Sequence, residues 1–596
     1  QAYTGKDVIV GIIDGGFQYN HINFYDTEGK NLRIKRVWNQ NQSGTPPTGY
    51  YYGTEYTNAE EIIAAKQDYA ASHATHVTGI AAGAYKGNEY YGIAPDADLV
   101  LVSYNISDNS SSNTSITDGI KYIYDYAESV GKPCVINMSL GYHIGPHDGT
   151  STFDRICDEL QGEGRLLVGA SGNEAEYNIH ATKTLKKGDT NMKSLVEFVS
   201  NWYLYGSMTS TVDIWGDAEK QLSARVFVYD ILNKKEVYSS ESFSTTASAS
   251  KKISNPTGAD GNIYISTATN PYNKKGNITI DLNLSSFDNR NYYIGFEISG
   301  PEETTINAWT DAYMSWLSNF GNNEFTNGDN NSTMGEIGGT GKRIITVGAY
   351  TSCNYIDHKN SSMWNNSGQT LNQLVSFSSL GPTADGRMKP DITAPGSMLI
   401  SSFNSSTSSN RNGEDYNYVV KQENVNTVNY YYGSMEGTSM ATPVVTGILA
   451  TWLQANPKLT PEQVREILSN TATTDSYTGN IAGVGNNRWG YGKINAYDGL
   501  VYCLNHSGIE QIGTPTRPMV YPNPATDICY FLLQNDDKNV NVSIYTLNGT
   551  EIYSRYMGNI NAGEQNQLDL SDLAAGIYFI HITGDKTNMT TKLTVK

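Results

Sequence analysis

Short β-branched and aliphatic runs alternate with helical segments in the first part of this chain, and that alternation narrows the fold more than any other feature. Val8-Ile-Val-Gly-Ile-Ile13 reads as a strand, a helical segment follows from about 73 to 84, and Ala97–Ser103 reads as the next strand. A helix near 115 to 130, the run Pro133–Met138, a helix near 151 to 162 and the run Arg165–Gly169 continue the series. Runs this short and this apolar are buried on both faces, so the expected fold is α/β, a parallel sheet with helices on both sides.

The 596 residues are too many for one hydrophobic core. From about 178 to 335 the pattern changes to alternating segments such as Ala224–Tyr229, Ile263–Ile265, Ile278–Leu282 and Tyr292–Ile298, separated by turn residues. This predicts an antiparallel β-sandwich inserted between two parts of one α/β unit, 1–177 and 336–503. The α/β pattern resumes with Arg343–Gly348. Thr460-Pro-Glu-Gln463 has the form of a capping box with proline at the first helical position, which predicts a helix to about 470. A Gly/Thr/Pro segment, 504–518, reads as a linker, and 519–596, with strands at Val540–Tyr545 and Ile577–Ile582, as a small C-terminal β-sandwich.

With 60 acidic against 41 basic residues, a net charge of -19 and no basic block, the chain is unsuited to a nucleic-acid or anionic-membrane partner. No apolar run approaches the roughly 20 residues that span a bilayer, so a soluble protein without a transmembrane segment is expected. The five cysteines are odd in number and form no CxxC pair, which indicates neither a zinc cluster nor a full disulfide framework; buried small hydrophobes are expected. No signal peptide precedes the first strand, so targeting and any propeptide are expected to have been removed.

Gly437-Thr-Ser-Met-Ala-Thr-Pro443 stands just before the apolar helical stretch Val444–Leu453. A serine at a helix N-terminus has backbone N–H groups beside it where an oxyanion would develop, although Ser439 alone reads more readily as a cap. A nucleophilic serine needs a base, and the base needs a carboxylate. His73 opens a small-residue helical segment, with His76, read as structural, one turn later; His-x-x-His lacks the spacing of a zinc site. Asp14, followed by Gly15-Gly16, ends the first strand at the carboxyl edge of the expected sheet, where ligands and catalytic groups gather. Taken alone it is as well read as a turn residue.

Together these segments resemble the three motifs of the subtilases: Ile12–Gly16 the aspartate motif, His73–Gly79 the histidine motif and Gly437–Pro443 the serine motif. The resemblance implies a secreted serine endopeptidase with Asp14, His73 and Ser439 as its triad and no required cofactor. Gly169-Ala-Ser-Gly-Asn173 resembles the segment that carries the oxyanion-hole asparagine, here Asn173. Ser139, Leu140 and Gly141, with Ala170, Ser171 and Gly172, then correspond to substrate-binding positions that receive a polypeptide as an added strand, which implies broad specificity.

Departures accompany the matches. Gly15 replaces the hydroxyl residue that often follows the aspartate, and Ala74 replaces a usual glycine. Asn23 stands where relatives often carry a calcium-binding aspartate, so structural calcium finds no support and no metal ligand is assigned. Glu174 hints at tolerance for basic side chains. The insertion resembles the jelly-roll of clostridial germination subtilases through Ile306–Trp309 and Gly339–Gly348, with rigidification its expected role. The tail is similar to the C-terminal sorting domains of Bacteroidetes secreted proteins through Tyr521–Ala525, Ala575–Tyr578 and Lys592–Lys596, which implies export across an outer membrane, or ancestry from exported proteins, and a secreted or cell-surface location. A second reading is an inactive subtilase scaffold that binds protein or glycan. Natural substrate, the floor of the specificity pocket and oligomeric state stay open at this level.

Overall fold

The computed structural model describes residues 2–105, 107, 113–199, 208–254, 261–285, 287–288, 290–311, 314–506, 519–521, 523–533, 535–546, 550–562 and 564–596. It falls into two units, Gln1–Asn505 and His506–Lys596. From 507 onward the expected linker lies outside the described residues.

The first unit is built on an eight-stranded sheet. Its strands are β1 Ile9–Asp14, β2 Ile34–Asn39, β3 Thr54–Tyr56, β4 Asp98–Ser103, β5 Cys134–Met138, β6 Arg165–Ala170, β7 Ile345–Tyr350 and β8 Ile392–Pro395, in the order β8-β7-β6-β5-β1-β4-β2-β3. All neighbours are parallel except the edge pair β2 and β3. Five helices matter for the site: α1 His73–Ala82, α2 Thr114–Ser129, α3 Thr152–Leu160, α4 Thr438–Ala455 and α5 Pro461–Thr471.

Successive side chains of a strand point to opposite faces, and β1 shows how this makes two cores. Val10 and Ile12 pack with Ala74, Val77 and Ala81 of α1 and Val445, Leu449 and Trp452 of α4. Ile9 and Ile13 pack on the other side with Ile116, Ile120 and Ile123 of α2 and Phe153 and Cys157 of α3. The capping box at Thr460 is formed in full at the start of α5. Cys134, Cys157, Cys503 and Cys529 are buried free thiols and Cys353 is half-buried.

Two further antiparallel sheets are formed by the strands between His180 and Ser318. One runs Ala249–Ser254, Gly261–Thr269, Lys275–Leu284, Met208–Ala218, Thr305–Thr310, His180–Thr184; the other centres on Ser223–Asp230, Tyr292–Ser299 and Asn191–Phe198. Ile214, Val226, Ile265, Ile280, Phe296 and Ile306 share the core between them. The entering and leaving chains are clasped: His180 and Asp329 exchange backbone hydrogen bonds of 3.3 and 2.6 Å, and the His180 Nδ1 lies 3.0 Å from Asp329 Oδ1.

A small three-stranded sheet, Leu399–Phe403, Val428–Met435 and Val419–Val425, also belongs to this unit. The second unit has a three-stranded and a four-stranded antiparallel sheet around Cys529, Phe531, Val542, Ile544, Ile580 and Leu593. Among the described residues no helix is long and apolar enough to cross a membrane.

Candidate active site

Asp14 is the last residue of β1, opposite Ser103 of β4, and is nearly fully buried. His73 is the first residue of α1. The helix is held there because two of the N–H groups that a helix start leaves unpaired find carbonyls just after Asp14: Ala74 N donates to Gly15 O at 3.0 Å and Thr75 N to Gly16 O at 3.2 Å. Gly16 adopts a φ of 88° and its Cβ position lies 2.8 Å from the Ala71 Cβ, so backbone and packing both demand glycine.

This docking brings His73 Nδ1 within 2.8 Å of Asp14 Oδ1 and 3.0 Å of Oδ2. Gly15 N donates to the same Oδ1 at 2.7 Å. Burial disfavours the imidazolium, but the Asp14 charge and hydrogen bond outweigh it and raise the His73 pKa above its ordinary value. The His73 side chain keeps 38% of its surface exposed, so the ring is not closed in by protein. Ala74 is fully buried within the core beside α1, which accommodates the extra methyl. His76 is buried, with Nε2 3.0 Å from Leu399 O and 3.1 Å from Gly433 O; burial lowers its pKa to about 3 and keeps it neutral.

Ser439 is the second residue of α4. The cap, Gly437, has φ 147°, a conformation reserved for glycine, and its N–H is bonded to Gly396 O at 2.8 Å. Pro443 lies inside the helix and has no N–H for the carbonyl four residues earlier, that of Ser439. The Ser139 hydroxyl takes that place at 2.8 Å, itself accepting from Asn137 Nδ2 at 2.9 Å, while Asn137 Oδ1 accepts from Thr446 of α4. Ser439 Oγ leans on Ser139 O at 3.4 Å, and among the described residues no hydrogen bond joins it to His73. Catalytic hydrogen bonds in unliganded sites are often long and tighten only with substrate.

Asn173 comes to the same place from the end of β6. Its Oδ1 accepts from Thr438 N at 2.9 Å and from Thr438 Oγ1 at 3.0 Å, and Gly172 N donates to the Thr438 hydroxyl at 3.3 Å. Anchoring the oxygen turns Nδ2 away from Thr438, and neither Nδ2 nor the Ser439 N–H has a protein acceptor among the described residues. Two donors beside a serine hydroxyl can receive an oxyanion. Neither Thr438 nor the Ser139 bridge emerges from the sequence reading, although a proline four residues after a candidate serine is a usable signal for the second.

The remaining expected positions fall on two segments, the expected walls of a substrate cleft. Ser139, Leu140 and Gly141 continue beyond β5 outside any strand, and no hydrogen bond among the described residues reaches the backbone of Leu140 or Gly141. Ala170, Ser171 and Gly172 are buried opposite them. A strap from the inserted segment joins the walls: Gly335 N donates to Ser171 O at 3.1 Å and Glu336 N to Tyr142 O at 2.6 Å.

Glu174 is buried, accepts from Ser379 Oγ at 2.9 Å and lies 3.5 Å from His143 Nε2. Burial opposes its charge, yet His143 and Ser379 hold its carboxyl below the ordinary range. It is an internally paired group, which removes the hint of an open acceptor for basic side chains. Asn23 donates to Tyr90 O and Ser402 Oγ and accepts from Tyr85 N, so its amide is engaged at both ends and does not fit a calcium ligand.

A family model described as "Subtilase family" matches residues 5–492, and one described as "Secretion system C-terminal sorting domain" matches 519–596. The chain is 37% identical over 158 residues, 26% of its length, to the serine protease AprX of Bacillus subtilis, of which this covers 30%. It is 25% identical over 501 residues, 82% of its length, to the minor extracellular protease Vpr of the same organism, covering 51% of that protein. The chain thus spans about a third to a half of these curated relatives. Among solved structures, the CspB protease of Clostridium perfringens aligns with 84% of this chain and 96% of its own at a TM-score of 0.62 and 20% identity, a likeness of fold.

Proposed function

Because the chain belongs to the subtilase family, we propose that it is a serine endopeptidase that cleaves polypeptides through Asp14, His73 and Ser439 with broad side-chain tolerance. Its sorting domain makes it a secreted or cell-surface protein. The observation that carries the reading is the His73 imidazole held by both Asp14 oxygens, at 2.8 and 3.0 Å, and raised in basicity by them.

Ser439 Oγ attacks the scissile carbonyl while His73 Nε2 takes its proton. Asp14 fixes the tautomer with Nδ1–H toward itself and balances the imidazolium that forms. Asn173 Nδ2 and the Ser439 N–H receive the oxyanion. The imidazolium then protonates the leaving amine, and a water molecule, deprotonated by His73, attacks the acyl-enzyme and returns Ser439. All steps use the chain's own side chains and water.

The unbonded backbone at Leu140 and Gly141 supports binding of an extended peptide as an added strand, which reads main chain more than side chains. The test is a fluorophosphonate probe on the wild type and on Ser439→Ala, with adduct mass measured intact and by peptide. One adduct at Ser439, absent from a folded variant that has also lost peptide hydrolysis, is expected. Unlabelled, well-folded wild type would overturn the assignment.

A further inference from the structure

Gly15, which follows Asp14, is not in a left-handed conformation, so its backbone makes no demand for glycine. Packing does. A Cβ built on Gly15 would lie 2.1 Å from the Tyr69 hydroxyl oxygen and 2.9 Å from its Cζ. A side chain at position 15 would therefore have to displace the phenol of Tyr69, a residue that is 38% exposed.

The backbone of Tyr69 is held by its neighbour. The Asp68 carboxylate accepts from Tyr69 N at 2.6 Å, Phe17 N at 2.7 Å, Gly16 N at 3.0 Å and Ser103 Oγ at 2.7 Å. It ties the start of Tyr69 to the turn after Asp14 and to the end of β4. Gly15 N in turn donates to Asp14 Oδ1, the oxygen nearest His73 Nδ1. A displacement of Gly15 is thus a displacement of the carboxylate that aligns the imidazole. Burial, then the charges of Asp68 and Asp14, raise the Tyr69 pKa, so the phenol stays neutral beside them.

We propose that Tyr69 is a positioning residue for the Asp14 and His73 pair, wedged against Gly15 so that the Gly15 N–H stays on the carboxylate. The proposal rests on the triad reading above. It adds that Gly15 and Tyr69 act as a coupled pair.

The experiment compares Gly15→Ser, Tyr69→Ala and the double variant in the full chain. It measures kcat and KM on a chromogenic peptide, the rate of fluorophosphonate labelling, and thermal unfolding. Misplacing a catalytic group by a fraction of an ångström is costly, so each single change is expected to lower kcat about tenfold or more with KM nearly unchanged. In the double variant the serine enters the space the phenol has left, and most of the lost kcat returns. Singles whose losses multiply in the double variant, or a loss confined to KM, would overturn the proposal while a labelled wild type keeps the triad. An unlabelled wild type overturns both. Should Gly15→Ser show no unfolding transition, Tyr69→Ala decides alone: a loss of kcat supports the proposal and an unchanged kcat overturns it.

Discussion

The Ser139 hydroxyl donates to the Ser439 carbonyl, and it does so because Pro443 cannot. Ser139→Ala takes the hydrogen-bond partner from the half-buried Ser439 carbonyl and from the buried Asn137 Nδ2, so a loss of about 1–3 kcal/mol in stability is expected. Adding Pro443→Ala returns an N–H to the carbonyl and is expected to recover part of it. A thermal or denaturant double-mutant cycle measures the coupling, and additive losses would contradict the account.

Asp14→Asn keeps the shape of the site but reverses the hydrogen-bonding preference at His73 Nδ1. A fall in kcat of order 10⁴ with little change in KM is expected. Steady-state kinetics on one peptide substrate checks this.

The raised His73 pKa gives a pH profile with a definite sign. His73 must be neutral to take the serine proton, so kcat/KM is lost as pH falls through its folded value, and the acid limb is expected to have its midpoint above the ordinary 6.5. Removing the Asp14 charge is expected to move that limb down. A wild-type midpoint at or below 6.5 would disagree with the geometry.

Replacing Asn173 by Leu removes one oxyanion donor and is expected to cost ~10² to 10³ in kcat. Thr438→Val keeps the amide but frees its oxygen from one anchor, so a smaller loss, again in kcat, is expected. Pre-steady-state acylation rates separate the two variants from any change in deacylation.

The internal pairing of Glu174 bears on substrate choice. With its carboxylate engaged by Ser379 and His143, peptides with lysine or arginine before the scissile bond are expected to be cleaved no better than those with leucine or tyrosine. Mass-spectrometric mapping of cuts in a denatured protein mixture reads this directly, and a marked basic preference would show that the pair opens on binding.

Much of this was readable from local pattern. The run at Val8–Ile13, the strand and helix alternation that follows and the Thr460 capping box depend on neighbours within a few residues, and the described strands and helices lie within a few residues of the expected ones. Contacts between distant segments were not readable. The Ser139 bridge joins residues 300 apart, Tyr69 fills a space 54 positions away from it in sequence, and the strap at 335–336 returns after a long excursion. The sheet of Leu399–Phe403, Val419–Val425 and Val428–Met435 also escaped notice, since its central strand is rich in tyrosine and its hairpin partner is largely polar.

The clasp at His180 and Asp329 gives the insertion a different standing from that of a decoration on a loop. The chain leaves for the sandwich a few residues after Asn173 and comes back as the strap at Gly335 and Glu336 that spans the two walls. The segment that ends the excursion is thus also the one bonded to Ser171 and Tyr142. Exchanging the sandwich is therefore expected to disturb those two bonds beside the expected substrate-binding positions, and grafting experiments should cut outside 174–336.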